Sequence, residues 1–586
     1  MFFPLVVIVA VLPGLYALSR WDLTPPGPWW GLRSLEVLDG LVLDQTPAAL
    51  ELSNAVESRA FRSVVQQPPL HAWLEALALR ARLERDPMAT VLPSYVAGAL
   101  LVILVYLHGR LWRGPGVGVV AAVLTAFNHE LLVEMQQASP VTLAVAGAAS
   151  ALYAYGRHLR AGSSSAASWN GPEGLLWVVV GGLGLGTSLM SMGLLGLLVI
   201  PIVGLHQFYL RAGLPPGERV DRWWLSWRDN VSLLGGGLVL AIALVLALPW
   251  HLMMANRHGS DFLEALVVPP GLPGHGSPHL LARLIGLAPA TVALGLLAAG
   301  LAIRDALIAE SDDDETIGGA FWVVWLAVAA LTPNLWPTIS PEAIDLLILI
   351  PLNLLAAQGI AGLANRRIPI RLLNAVAPAT AGAIAWSLSG DLRNAVSELA
   401  HGRADSTTGL GLHLALDLII AAVFLTRGIE RWARRRDDRQ RKVLAVFLIS
   451  ILAFTLADGL SQVTFQQKET RDLLSLRDVI LRRNLERPIE RVAVIAPDNA
   501  RAGLEGGRLR FILRSALPHL RPLDLRSTDE LIKRMEAPQG SDWLVVLVGT
   551  EQRLSYPIQS QLRLESIYPS GSGLLDAFAS TKRAED

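Results

Sequence analysis

The sequence contains no cysteine in 586 residues, which excludes disulfide frameworks, Cys-based zinc sites and thiol catalysis, and leaves the redox compartment open. Charge is also scarce: Asp, Glu, Lys and Arg make up 17% of the chain, against roughly 25% in ordinary soluble domains. A soluble chain of this length would form about four domains by the rough 150-residue prior, and none could cover its surface with so few charges. There is no net charge either, 50 Lys+Arg against 50 Asp+Glu, so no global basic field favours nucleic acid. What is abundant is apolar: hydrophobic residues are 52% and the mean hydropathy is +0.43. This is the composition of a membrane protein.

Apolar runs near 20 residues, the length that crosses roughly 30 Å of hydrocarbon, recur along the chain. Thirteen candidate spans are read, at about 2–18, 91–108, 116–133, 140–156, 174–190, 192–210, 231–250, 279–303, 318–334, 342–363, 371–390, 409–427 and 443–458. Only the polar stretch around Glu134, Gln136 and Gln137 separates the third from the fourth, and only Ser191 the fifth from the sixth. The first run lacks the basic start and small-residue cleavage site of a signal peptide and is read as a span.

With the N-terminus cytoplasmic, the short inside loops hold 20 Lys and Arg, among them Arg110, Arg113, Arg157, Arg160, Arg304 and the cluster from Arg427 to Lys442. The short outside loops hold three: Arg257, Arg393 and Arg403. That imbalance is the positive-inside pattern of a multi-pass plasma (inner) membrane protein, so the zero net charge resolves into a sided distribution.

Two segments escape the membrane, and this topology puts both outside. The first is the loop 20–90, which opens on Pro25, Pro26 and Pro28 and closes on an amphipathic stretch over 70–83 that suits the interface plane. The second begins near residue 461. There 491–496 and 543–548 are β-branched runs bounded by Pro and Gly, predicted as buried strands, with helical stretches near 509–516 and 528–535. The expected organisation is a transmembrane domain over 1–460, including the outer loop 20–90, and a small extracytoplasmic α/β domain over 461–586.

Candidate chemistry concentrates on the outer side. Glu36 and Asp39 stand three apart and would share a helix face, either as a carboxylate site or as two solvated acids. Gln66-Gln67-Pro68-Pro69-Leu70-His71 fixes an extended entry before the interfacial stretch. Pro249-Trp250-His251 ends the seventh span, and His251, His258 and His275 fall in one outside loop, at a spacing that fits no standard metal pattern; no metal or other cofactor is expected. Glycines around Gly184 and Gly186 lie inside an apolar span and read as close helix packing. His129, Glu130, Asp345 and Asp417 are candidate intramembrane polar groups.

The order of these features resembles that of the GT-C membrane glycosyltransferases, in particular aminoarabinose transferases of lipid A and protein O-mannosyltransferases. The resemblance rests on a first span, a long outer loop closing on Pro68-Pro69-Leu70 and Trp73-Leu74, a second span at Val102 to Arg110, Pro249-Trp250-His251, Leu349-Ile350-Pro351 and an outer C-terminal α/β domain. It implies a polytopic α-helical fold and transfer of a sugar from a polyprenyl-phosphate donor to an outer-face acceptor, a lipid, glycan or protein, with membrane lipids as the other partner.

By position, the resemblance makes Glu36 the catalytic base and Asp39 the fallback. Several positions where the family keeps cations carry other residues: Gln67 replaces a Lys before the double Pro, Ser191-Met192-Gly193 replaces Thr-Lys-Gly, and a Ser-Lys falls near Ile339-Ser340. A second family acid falls on or beside Pro140. Donor and lipid-phosphate binding would then fall to Arg33, Arg59, Arg62, Gln67, His71, His251 and Arg257. Three functions follow as expectations: an inverting transferase, a protein of the same fold that binds a lipid-linked glycan or partner without chemistry, and a lipid or sugar transporter. The last would call for an internal repeat, and none is evident.

Overall fold

The computed structural model describes residues 3–18, 31–35, 68–81, 87–162, 172–212, 233–262, 280–308, 314–335, 340–364, 468–495, 509–525, 542–548 and 559–580, with short gaps inside some of these, and isolated residues within 376–384, 451–455 and 531–533. Thirteen helices precede the C-terminal domain in these stretches. They are α1 (Phe3–Leu18), α2 (Leu70–Ala81), α3 (Leu92–Arg113), α4 (Pro115–Ala126), α5 (His129–Gln136), α6 (Val141–Gly162), α7 (Pro172–Met192), α8 (Val199–Ala212), α9 (Leu233–His258), α10 (Leu280–Leu287), α11 (Val292–Ile308), α12 (Asp314–Leu335) and α13 (Pro341–Ala364).

Ten of the thirteen expected spans coincide with these helices. The last three, at 371–390, 409–427 and 443–458, lie largely outside the described residues. Five described stretches are long and apolar enough to cross a membrane singly, and a sixth if α4 and α5 count as one broken span. The apolar stretch over 174–210 is 37 residues long, about 55 Å if straight, which exceeds a bilayer core. It doubles back instead. Gly193 takes φ 55°, and a Cβ at Gly196 would lie 3.0 Å from the Leu189 side chain. The start of α7 and the end of α8 therefore return to the same end of the bundle, where Trp177 meets Tyr153 and His206 meets Tyr155.

Two spans are interrupted. α5 bends 59° from α4, because Asn128 caps it, its side chain accepting the Glu130 N–H at 2.9 Å. α10 and α11 are separated at 288–291, around Pro289. Elsewhere glycines permit close crossings. Between α3 and α4, joined by Gly114 at φ 91°, a Cβ at Gly109 would lie 2.6 Å from the Gly118 Cα; between α6 and α7, one at Gly147 would lie 2.6 Å from the Gly184 carbonyl oxygen. α13 runs through the middle, buried along most of its length, and its neighbours include α4, α11 and α12. Leu92, Val96 and Leu100 of α3 form an exposed apolar stripe at helical spacing, as does much of α9, as lipid-facing surfaces do.

The C-terminal domain opens with α14 (Lys468–Glu486) and carries β1 (Arg491–Ile495), β2 (Leu523–Leu525), β3 (Trp543–Val548), β4 (Leu564–Pro569) and β5 (Leu575–Ser580). The sheet order is β2-β1-β3-β5-β4, with β2, β1 and β3 parallel and β5 antiparallel to both of its neighbours, β3 and β4. β1 and β3 are the expected buried strands, and 511–516 is helical as expected. Val492, Val494, Leu544 and Val546 pack on one face with Leu476, Ile480, Phe511 and Ile512; Ala493, Ile495, Val545 and Leu547 pack on the other with Leu531 and Phe578. Both faces are covered, hence the continuous apolar runs.

Candidate active site at the loop end of the bundle

The two ends of the bundle differ in charge. At one end Arg113 closes α3 and pairs with Glu315 of α12 at 2.7 Å, Arg160 near the end of α6 donates to the Leu111 carbonyl, and Arg157 lies 4.9 Å over the Trp177 ring. The other end carries the first loop, the α5–α6 junction and the start of α13. Ser94 at the start of α3 stitches this loop end together: its hydroxyl donates to the Ser139 carbonyl at 2.8 Å, and its own carbonyl accepts the Thr142 hydroxyl at 3.1 Å.

The first loop is held down by a core it shares with the C-terminal domain. Leu35, Ala72, Ala76, Leu79, Ala89 and Val91 are buried in the same cluster as Leu476, Phe511 and Leu544. A Cβ at Gly31 would lie 2.5 Å from the Phe511 ring. α2 is inside out by soluble standards: Trp73 and Leu77 are exposed, at 48% and 62%, whereas His71 and Glu75 are wholly buried. Glu75 receives the Ser34 hydroxyl on Oε2, and its Oε1 stands 2.8 Å from His71 Nε2. These three side chains link two parts of the loop 41 residues apart.

A second polar group lies on α5 and α13. Glu134 is 4% exposed, and its Oε2 has no hydrogen-bond partner. α5, which also carries His129, Glu130 and Gln136, bends 59° out of the line of α4, and Glu134 follows the run 116–133 read as the third span. Burial pushes the Glu134 carboxyl up to about 8; a hydrogen bond with Ser139 opposes this, while Glu342, Glu130 and Asp345 add repulsion. A carboxyl that holds its proton at neutral pH is a proton donor. Ser340 caps α13, accepting the Ala343 N–H at 3.4 Å and donating to Glu342 Oε2 at 2.5 Å. Deeper in the bundle, Asn353 donates to Thr125 at 3.1 Å beside a cavity of about 10 Å³ bordered also by Asn128 and Thr291.

The candidate residues fall into three groups. Glu36, Asp39, Arg59, Arg62 and Gln67 lie outside the described residues, as do His275 and Asp417. Arg33 and His71 are brought into the buried core of the first loop, at 7% and 0% exposure. His251 stands apart from them on α9, half-buried, packed with Trp250 and Phe262 at ring distances of 5.0 and 6.2 Å, its Nδ1 against the Ala247 carbonyl at 2.7 Å. Arg257 lies on α9, with its side chain outside the described residues. At two described positions where the resemblance looks for cations, the chain carries uncharged residues: Met192 stands at the Lys of Thr-Lys-Gly, and Ser340 donates its hydroxyl to Glu342. Among the described residues no group of three or more His, Asp or Glu is arranged to hold a metal ion.

Sequence reasoning did not single out Ser34 and Glu75. The i,i+4 spacing of His71 and Glu75 was the available signal, but nothing local marks Ser34 as their partner. Glu134 stood in plain view as a polar break between spans, without a role.

No protein-family model and no curated protein matches the sequence. Solved structures do match in fold. ArnT from Cupriavidus metallidurans bound to undecaprenyl phosphate is 14% identical, with 99% of each chain covered and a TM-score of 0.59; the apo form of the same protein gives 0.58. The archaeal oligosaccharyltransferase AglB from Archaeoglobus fulgidus, in complex with an inhibitory peptide and a dolichol-phosphate, is 12% identical over 99% of this chain and 75% of that one, with a TM-score of 0.47. The chain thus shares its fold with ArnT, the kind of fold that the sequence resemblance implied. Along its whole length it is similar to ArnT.

Proposed function

We propose that the protein is a membrane glycosyltransferase that moves a sugar from a polyprenyl-phosphate-linked donor to an acceptor at the loop end of the bundle. The observation that carries this reading is the agreement in fold with ArnT over 99% of both chains, a protein solved with undecaprenyl phosphate. The N-terminus is assigned to the cytoplasm, which puts the arginine end inside and the first loop and the C-terminal domain outside, in keeping with the positive-inside rule.

In this reading Glu36 takes the proton from an acceptor hydroxyl as that oxygen attacks the anomeric carbon. The bond from that carbon to the phosphate oxygen breaks, the lipid phosphate leaves with the electron pair, and the configuration inverts. Asp39 is the reserve base. Arg33, Arg59, Arg62, Gln67, His251 and Arg257 are assigned to the departing phosphate, whose charge needs fixed donors. Glu134 is the buried acid nearest the α5–α6 junction, where the second acid of the GT-C pattern was expected.

A second reading has a specific observation behind it: Met192 and the engaged hydroxyl of Ser340 stand where cations were expected. A protein of this fold could bind a lipid-linked glycan without turning it over. Incubating the purified full-length protein with a radiolabelled undecaprenyl-phosphate sugar separates the two. The transferase reading predicts enzyme-dependent release of undecaprenyl phosphate and transfer of the label; saturable binding without release supports the second reading.

A further inference from the structure

The carboxylate of Glu75 is placed where its two oxygens serve two different parts of the first loop. Oε2 accepts from Ser34, and Oε1 faces His71 one turn earlier on the same helix. All three residues are 0% exposed. A buried polar group of this kind costs desolvation that a well-packed apolar replacement would avoid, so its use is more readily understood as fixing an arrangement than as adding stability. The arrangement fixed is that of residues 31–35. From one side Glu75 holds Ser34; from the other the Phe511 ring closes over Gly31, and Leu35 is fully buried in the core shared with the C-terminal domain. Glu36 is the next residue in the chain.

We infer that Glu75 is a positioning residue: through Ser34, and backed by His71, it anchors the loop segment from which Glu36 departs and so sets where the proposed base stands. The inference rests on the reading of Glu36 as base. It assigns to α2 a second task beside lying at the interface, since Trp73 and Leu77 face outward while Glu75 and His71 face the loop.

The test combines amide hydrogen exchange on the purified full-length protein with kinetics on a labelled undecaprenyl-phosphate sugar. In Glu75→Ala, exchange over 31–36 should quicken by about tenfold or more while β1 and β3 keep their protection. In the same variant kcat should fall by about tenfold or more, with KM for the donor held within about twofold, as expected when a reacting group is displaced and not when binding is lost. Glu75→Gln, whose amide can accept from Ser34 and donate to His71, should recover both readouts, and Ser34→Ala, which removes one arm only, should fall between. Unchanged exchange over 31–36 in both Glu75→Ala and Ser34→Ala overturns the inference, as does full activity in Glu75→Ala beside an inactive Glu36→Gln. Loss of protection throughout the C-terminal sheet in every variant, Glu75→Gln included, also overturns it, because Glu75 would then be a general structural residue. A wild-type protein that turns over no donor defeats the glycosyltransferase reading instead, and the exchange result still decides whether Glu75 anchors the segment.

Discussion

Glu134 shows how one residue's setting alters its chemistry without any change in sequence pattern. Its folded pKa of about 8 lies above the ordinary value of 4.5, so between those values the folded protein holds a proton that the unfolded chain releases. The stability this contributes is complete below about pH 4.5 and is lost as pH rises through about 8. Glu134→Gln keeps the neutral form at every pH. The variant's thermal midpoint should therefore lack the fall that the wild type shows between about pH 5 and 8; parallel declines would show that Glu134 is not the titrating group. Residue-level meaning of this sort was only partly legible. That Glu134 interrupts an apolar stretch can be read directly, but its proximity to Glu342 depends on α13, some 200 residues later in the chain. The same holds for Ser34, whose partner is 41 residues away.

At the scale of elements, the apolar runs foretold most helices because membrane helices must satisfy their backbone internally over a fixed length. The breaks were harder to see. Residues 116–133 read as one span, yet Asn128 caps a new helix inside it, and a single capping side chain hardly changes the hydropathy of the run. In α2, the expected amphipathic stretch is there with His71 and Glu75 turned inward, so the usual correspondence between polar and exposed would have misdirected a search for site residues. Strands β4 and β5 escaped notice because their short, mixed sequences lack the apolar continuity of β1 and β3. The glycine pattern, by contrast, was read correctly as close packing and makes a sharp prediction. A Cβ at Gly118 would lie 2.5 Å from the Tyr106 carbonyl oxygen, a backbone atom that no rotamer can move, whereas at Gly204 nothing lies within 4 Å. Gly118→Val should force the α3–α4 hairpin apart at a cost of about 1–3 kcal/mol, seen as loss of monodisperse protein on size exclusion, while Gly204→Val elutes like the wild type. Equal behaviour of the two variants would contradict the observed crossing.

For the whole molecule, the arrangement couples three things: a bundle with arginines at one end, the described parts of the first loop at the other, and a C-terminal domain whose core includes Leu35, Ala72, Ala76 and Leu79 of that loop. Because the chain has no cysteine, single cysteines report on sidedness without background. With the proposed orientation, a cysteine at Ser527 should react with a membrane-impermeant maleimide added to intact cells, and one at Arg435 only after permeabilisation; the opposite pattern would invert the topology. The broad order of features, and with it the resemblance, was legible along most of the chain. The detailed site was not, because the first loop must fold against the C-terminal domain before Arg33 and His71 acquire their surroundings.

If this fold transfers a sugar from a lipid phosphate with Glu36 as base, removing that carboxylate must abolish turnover. Release of undecaprenyl phosphate from a labelled undecaprenyl-phosphate sugar, measured in membranes for the wild type and Glu36→Gln at equal expression, tests it most directly. The wild type should show acceptor-dependent release that falls by about a hundredfold or more in the variant. Equal release by the two proteins would contradict the account.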